Sequence, residues 1–221
     1  MKLFISALTK YITGLAVVAL LLFIPAGTLN FSGGWLFIGL LFVPMLILGA
    51  VLLLKSPDLL EKRLDTGEKE SEQKGVITMS ALVFLAGFVL SALDFRFGWL
   101  QLPKVIVISG AVVLVLSYGL YAEVMRENAF LSRTIEVQEG QKVVDTGLYS
   151  LVRHPMYAAT ILLFLSIPVV LGSGVGLMVF LAYPLIIVKR IRNEEKVLSA
   201  GLDGYAEYME KVKWRIVPFI W

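Results

Sequence analysis

The sequence predicts an all-α, polytopic membrane protein with about six apolar spans. Of the 221 residues, 58% are hydrophobic and 17% are charged, whereas soluble domains are about a quarter charged. The mean hydropathy is +0.83. Residues 11–54 contain no charged side chain, and a run of this length fits two membrane helices of roughly 20 residues each.

The apolar runs fall into pairs that are separated by glycine-containing breaks. Gly33-Gly34 divides the first pair and Gly172-Ser173-Gly174 divides the last pair. The last two runs are short for a hydrocarbon core about 30 Å thick, so we expect a tight hairpin whose second helix continues into water. We expect residues 1–25 to form a retained first helix rather than a cleaved signal peptide. The predicted spans are at about 11–29, 34–54, 76–93, 104–123, 155–171 and 175–190.

The highly charged segment between the second and third spans has two interpretations. Its first part, residues 56–64, is compatible with a short interfacial helix that turns Leu59, Leu60 and Leu64 toward lipid. A solvated loop accounts for the same composition. The role of residues 55–75 therefore stays open at this stage.

Charge asymmetry between the loops predicts the orientation in the membrane. All but Arg96 and Lys104 of the 20 lysines and arginines lie at the N-terminus, in the loops after the second and fourth spans, or in the C-terminal tail. Because cytoplasmic loops carry the excess of basic residues, we expect both termini in the cytoplasm of a bacterial or archaeal inner membrane. The net charge of +3 then reflects topology and contact with membrane lipids, and it requires no nucleic acid.

The counts of cysteine and histidine exclude several kinds of site. The chain has no cysteine and one histidine, so thiolate chemistry and a multi-histidine metal site are ruled out. We expect no metal ion.

The polar residues divide the chain into two regions. Residues 1–125 are predicted to be a membrane scaffold, whereas residues 126–221 contain a loop, the hairpin at 155–171 and 175–190, a C-terminal helix and a tail. Most side chains capable of chemistry lie in this second region, on the predicted cytoplasmic side. Reactants would therefore meet at that membrane surface.

The only histidine stands in the pentad from Arg153 to Tyr157. Pro155 is predicted to be the first residue of a helix, where its missing N–H costs nothing. His154 would then lie at a helix N-terminus, which favours bound anions. A purely structural interpretation is about as good: Arg153 as an interfacial anchor, His154 as a cap, and Tyr149 and Tyr157 as aromatic-belt residues.

Two further groups follow the hairpin. Arg190 and Glu194 are four residues apart and share a helix face, and the neighbouring Glu194-Glu195 pair lies close to the apolar boundary. Carboxylates there could bind a cation or a pair of ribose hydroxyls. An intrahelical ion pair on a solvated helix end is the simpler alternative.

Gly147 and Tyr149 precede the pentad, and Gly204, Tyr205, Tyr208 and Pro218 follow the glutamate pair. Taken together in this order, the motifs resemble the isoprenylcysteine carboxyl methyltransferase family and its phospholipid-methylating relatives. The resemblance covers residues 126–221 well, whereas the N-terminal half matches only as apolar spans. A glycine that usually follows the Arg-His-Pro-x-Tyr motif is replaced by Ala158-Ala159. The matching residues are Gly147, Tyr149, Arg153, His154, Pro155, Tyr157, Glu194, Glu195, Gly204, Tyr205, Tyr208 and Pro218.

The resemblance implies a cytoplasmic pocket for S-adenosyl-L-methionine without a dinucleotide-binding sheet. In agreement, the sequence lacks a Gly-x-Gly-x-x-Gly after a strand. His154 is expected to bind cofactor and to face Glu194 across the helix pair. The implied cofactor residues are Gln138, Gln141, Lys142, Val143, Val144, Tyr149, His154, Pro155, Met156, Tyr157 and Glu194.

The implied reaction is methyl transfer to a lipophilic acceptor from the bilayer, in particular the carboxylate of an isoprenylcysteine-like lipid. A carboxylate is already ionised at neutral pH, so the enzyme need only align the reactants and exclude water. Arg190 would bind this anion. For an amine or thiol acceptor a proton must leave, and Glu195 or Tyr157 becomes a catalytic candidate.

Other functions remain open at this stage. The same fold serves phospholipid N-methylation or methylation of a small thiol. A sterol-reductase-like enzyme would bind NADPH, although the Glu194-Glu195 pair disfavours a 2′-phosphate. A non-enzymatic membrane scaffold would have no reason to keep these polar residues at these spacings. Neither the acceptor's identity nor the oligomeric state can be read from the sequence.

Overall fold

The computed structural model describes residues 2–65, 71–132 and 134–221. These residues form helices and no strand, apart from one isolated bridge between Gln101 and Ser173. The all-helical class is therefore confirmed. The helices are α1 Lys2–Ala26, α2 Ser32–Lys55, α3 Pro57–Leu64, α4 Ser71–Phe97, α5 Lys104–Glu127, α6 Pro155–Val170, α7 Gly174–Phe180, α8 Tyr183–Gly201 and α9 Tyr205–Lys211, with a 3-10 turn at Gly147–Ser150.

Five helical segments in the described part of the chain are long and apolar enough to cross a membrane. They are Lys2–Ala26, Ser32–Lys55, Gln73–Phe97, Lys104–Glu127 and Gly174–Gly201. The predicted segment at 155–171 is the shorter apolar helix α6, which has 16 residues. At 1.5 Å per residue it extends about 24 Å, so it packs among longer helices. The polytopic membrane architecture predicted from the sequence is confirmed.

The last predicted span differs in detail from the expected single helix. The helix pauses at Leu181-Ala182 between α7 and α8, just before Pro184, whose ring cannot continue a regular hydrogen-bond ladder. Helix α8 then runs past the apolar boundary to Gly201, as the hairpin prediction required. It thereby brings the Glu194-Glu195 pair to the end of the bundle.

The short helix α3 settles the first part of the charged loop, whereas residues 66–70 lie outside the described residues. Leu59 and Leu60 are buried, so the prediction that they face lipid was wrong. Ser56 alone separates α2 from α3, and α3 therefore folds back onto α1 and α2. The Lys10 ammonium group on α1 donates to the Leu64 carbonyl oxygen at the end of α3.

The core of the bundle is built from aromatic and aliphatic side chains of several helices. Phe84 contacts the rings of Phe88, Phe164, Phe180 and Tyr183 in edge-on or tilted geometries. Such pairs add to the free energy of burial. Helices α5 and α6 approach each other closely at Gly110, where a Cβ would overlap Val169.

Asp94 ties the helices together at the end of the bundle opposite α3. Its side chain is fully buried and accepts hydrogen bonds from the Leu100 N–H at 2.7 Å and the Ser173 hydroxyl at 2.5 Å. Gln101 donates to the Asp94 carbonyl oxygen at 2.8 Å. These bonds join the end of α4 to the turn between α6 and α7. We call this group the Asp94 clamp.

Replacing Asp94 by Ala should destabilise the fold, because the buried Ser173 hydroxyl and the Leu100 N–H would both lose their acceptor. We expect a loss of about 2 kcal/mol or more in the free energy of unfolding, measured as a lower Tm in detergent. Asp203→Ala, at an exposed position, is the control. Equal Tm values for the two variants would contradict the clamp.

Candidate active site

A cavity of about 90 Å³ lies at the end of the bundle that carries the basic loops. Its walls come from the segment before the 3-10 turn, the start of α6, and helices α8 and α9. We call it the polar cavity. Of the predicted site residues, it is lined by Gln141, Lys142, Val143, Val144, Tyr149, His154, Met156, Tyr157, Arg190 and Glu194.

Three predicted site residues lie outside this lining. Gln138 shapes the loop instead: its amide donates to the Phe130 carbonyl oxygen, and its backbone N–H donates to the Gln141 side chain. Pro155 is the first residue of α6 after the N-cap His154, as predicted. Glu195 turns toward basic side chains.

Glu195 connects three parts of the chain through its buried carboxylate: the start of α6, α8 and the C-terminal tail. Arg153 donates to Oε1 through Nε and Nη2, both at 2.8 Å. Arg215 donates to Oε2 through Nε and Nη2, again at 2.8 Å. The His154 Nε2 atom lies 3.3 Å from Oε1. His154 thus faces Glu195 and not Glu194, because adjacent residues on a helix point about 100° apart.

The C-terminal tail closes around the same group. The Arg153 N–H donates to the Trp214 carbonyl oxygen and the His154 N–H donates to that of Arg215, each at 2.8 Å. Arg153 Nη1 also donates to the Val212 carbonyl oxygen at 2.7 Å. We call Arg153, His154, Glu195 and Arg215 the Glu195 network. The network positions the His154 imidazole and the first turn of α6 at the wall of the polar cavity.

Glu194 belongs to a second polar group that faces the cavity. The Tyr157 hydroxyl donates to Glu194 Oε2 and accepts from Arg190 Nε, the latter at 2.8 Å. Arg190 also points Nη1 toward Gln73 Oε1 at 3.5 Å. Arg190 and Glu194 share one helix face, as predicted, and Tyr157 bridges them. The arrangement presents a cation, a phenol and a carboxylate in sequence along one wall.

Two buried phenols complete the wall. The Tyr149 hydroxyl accepts from the Asn128 amide at 3.1 Å. Tyr205 is 4% exposed, and its hydroxyl has no hydrogen-bond partner among the described residues. Burial raises the pKa of both phenols above their usual range, so both stay protonated. A buried hydroxyl without a partner is uncommon, and in a cavity wall it is available to a ligand.

The 3-10 turn that carries Tyr149 depends on Glu127 at the end of α5. The Glu127 carboxylate accepts the Leu148 N–H at 2.9 Å. Gly147 has φ +53°, and a Cβ there would overlap the Glu127 carboxylate. Glycine is therefore required at this position by backbone conformation and by space.

A second and larger cavity, of about 670 Å³, opens between helices α2, α4, α5, α6 and α8. Most of its lining is aliphatic or aromatic, with side chains such as Leu48, Phe84 and Phe164. We call it the apolar cavity. Ser132, Met156, Tyr157 and Arg190 line both cavities, so the two meet at these residues.

Sequence reasoning missed several residues of the polar cavity. Tyr205 and Tyr208 were part of the quoted motifs but were given no role, whereas nothing in the sequence marked the segment 128–136. Within the described ranges, no three His, Cys, Asp or Glu side chains lie together in a way that could hold a metal ion. The missed lining residues are Asn128, Phe130, Leu131, Ser132, Thr134, Ile135, Glu136, Arg153, Leu198, Leu202, Tyr205 and Tyr208.

Glu195→Gln should lower the stability of the fold strongly, because Arg153 and Arg215 would lose the carboxylate that both of them bind. Breaking a buried ion pair costs about 3–5 kcal/mol, and the half-exposed Arg215 places the expected loss toward the lower value. The readout is the Tm in detergent, with the exposed Glu207→Gln as the control. A Tm equal to that of the control would show that the network is dispensable.

Residues 106–200 match the model of the isoprenylcysteine carboxyl methyltransferase (ICMT) family. The match includes α6, the Glu195 network except Arg215, and the Tyr157–Arg190–Glu194 group. No curated protein matches the chain. Together with the five long apolar helices, the match over residues 106–200 supports an ICMT-like membrane methyltransferase.

Proposed function

We propose that this protein transfers a methyl group from S-adenosyl-L-methionine to the carboxylate of a lipophilic acceptor, such as an isoprenylcysteine-like lipid. The observation that carries the proposal is the meeting of a polar cavity and an apolar cavity at Met156, Tyr157 and Arg190. A polar donor and a lipid acceptor need such a junction, because each must reach the other from a different solvent.

The polar cavity has side chains suited to this cofactor. Its wall offers the Tyr205 hydroxyl as a donor without a partner among the described residues. The Glu194 carboxylate suits a sulfonium or a ribose hydroxyl pair, and Lys142 suits a carboxylate. His154 and Tyr149 supply aromatic surface.

The apolar cavity suits an acceptor that enters from the bilayer. Its lining residues lie largely in the helices long enough to span a membrane. At its polar end, the Arg190 guanidinium is positioned by the Tyr157 hydroxyl and the Gln73 side chain. A guanidinium binds carboxylates through directed hydrogen bonds, so Arg190 would orient the acceptor.

The residues act by positioning and not by proton transfer. When bound, the cofactor supplies an electrophilic methyl group on a sulfonium. Arg190 holds the acceptor anion, and the Glu194 carboxylate stabilises the positive charge of the cofactor. The Tyr157 hydroxyl positions the side chains of Arg190 and Glu194. Alignment of this kind accounts for a large part of the rate enhancement of a bimolecular reaction.

The Glu195 network argues for a positioning role of Glu195. Both of its oxygens accept from guanidinium groups, so a proton-accepting role would require those ion pairs to break. For an amine or thiol acceptor, Tyr157 is the better-placed helper because it lines both cavities. Phospholipid N-methylation or thiol methylation is thus the second candidate function.

S-adenosylhomocysteine should raise the Tm of the purified protein, whereas NADPH should not, because Glu194 in the cavity wall disfavours an added phosphate. Saturation at 100 times Kd corresponds to about 2.7 kcal/mol of added stability. Labelled S-adenosyl-L-methionine, incubated with lipid extracts and the protein, should give base-labile methyl esters. A Tm shift with NADPH alone would favour a reductase.

Tyr205→Phe should weaken the binding of S-adenosylhomocysteine about fivefold, the value of one neutral hydrogen bond of about 1 kcal/mol. The Tm of the unliganded protein should stay the same, since the hydroxyl has no partner among the described residues. Tyr11→Phe is the matched control, because the Tyr11 hydroxyl donates to Phe42 on the neighbouring helix, outside the cavity lining. An affinity unchanged by Tyr205→Phe would remove this hydroxyl from the site.

A further inference from the structure

Arg63, at the end of α3, contributes a guanidinium to the apolar cavity. Its Nη1 donates to the Ser132 carbonyl oxygen at 3.1 Å and lies 3.6 Å from Met156 Sδ. Its Nη2 donates to the Tyr121 hydroxyl, and the guanidinium carbon lies 5.5 Å from the Tyr121 ring centre. Because Ser132 and Met156 line both cavities, Arg63 is close to their junction.

The partners of Arg63 are all neutral. A carbonyl oxygen, a phenol and a thioether surround the guanidinium, and no carboxylate of the described residues lies within ion-pair distance of it. Arg63 is half-buried, so its charge is partly desolvated without a counter-ion, which an anionic ligand would offset. The side chain is nonetheless held against the cavity wall by three contacts.

Other arginines of the site contrast with Arg63. Arg153 and Arg215 both bind Glu195, and Arg190 is linked through Tyr157 to Glu194. In each case the structure supplies the carboxylate. For Arg63, the missing negative charge is expected from a ligand in the cavity that Arg63 lines.

We propose that Arg63 binds the anionic group of the amphiphile that occupies the apolar cavity, and that α3 is thereby part of the acceptor site. The inference rests on the proposed function, in which the apolar cavity holds the methyl acceptor. Arg63 lies outside the matched region 106–200. The ligand chemistry is a carboxylate or a phosphate on an apolar chain. Guanidinium groups bind both through charge-assisted hydrogen bonds.

The position of Arg63 also assigns a function to the short helix. Leu59 and Leu60 anchor α3 in the bundle, and the Lys10 contact holds its last turn. Arg63 is therefore presented from a fixed helix and not from a free loop. A head group at Arg63 would lie beside Met156, one residue from Tyr157.

Binding of three probes to detergent-purified protein tests the proposal: palmitate, hexadecyl phosphate and uncharged methyl palmitate, titrated calorimetrically at alkaline pH. Wild-type protein should bind at least one anionic probe about tenfold or more tightly than the ester, as expected for one charge-assisted bond. Arg63→Gln should reduce this preference severalfold, with Arg190 accounting for what is left, and should leave ester binding unchanged. Arg63→Lys should retain most of it.

The matched control is Arg126→Gln, which removes an exposed guanidinium paired with Glu123 outside both cavity linings. It should bind all three probes like the wild type. The relative affinities of the wild type for palmitate and hexadecyl phosphate show whether the site prefers a carboxylate or a phosphate head group.

Three results would overturn the proposal. They are a wild-type protein without preference for an anion, an Arg63→Gln variant that keeps the preference, and equal losses for the ester and the anions, which indicate a structural role. If Arg63→Gln does not fold, the preference for an anion over the ester is compared between the wild type and Arg63→Lys, and its absence from both would overturn the proposal. Titration of wild type with S-adenosylhomocysteine is the separate test of the proposed function, since Arg63 lies outside the polar cavity lining.

Discussion

Glu195 holds the site together, because one carboxylate serves guanidinium groups from two distant segments and the imidazole of His154. Arg153 and His154 stand at the start of α6, Glu195 lies on α8, and Arg215 belongs to the tail. This ion cluster adds to the backbone hydrogen bonds that join the start of α6 to the tail. The neighbouring Glu194 is thereby turned to the cavity, where its charge is available for chemistry.

The junction between the cavities explains how a membrane enzyme of this composition would work with a single histidine. Tyr157 lies between Arg190 and Glu194, and its ring lines both cavities. Opposite charges are thus held a fixed distance apart by a neutral bridge. A reaction between a cation and an anion needs each reactant to be held by a group of opposite charge, and it does not need a proton acceptor.

The fold was largely predictable from the sequence, because uninterrupted apolar runs and glycine breaks report directly on membrane helices. Helix α6 begins at Pro155, as predicted, because the first position of a helix tolerates the missing N–H of proline. The orientations of Glu194 and Glu195 were not predictable, since a shift of one residue along the helix decides which carboxylate faces the cavity and which forms the ion pairs. Arg63 was missed because its neighbours Tyr121, Ser132 and Met156 are far away in sequence, and only the folded chain unites them.

The Asp94 clamp has a mechanical consequence for the cavities at the other end of the bundle. Helices α4 and α5 have 27 and 24 residues, and a 24-residue helix is about 36 Å long at 1.5 Å per residue. A helix pivoting about the clamp by about 2° would therefore shift its far end by roughly 1 Å. A tilt of α4 about Asp94 would therefore displace the cavity end of the helix most and the clamped turn least.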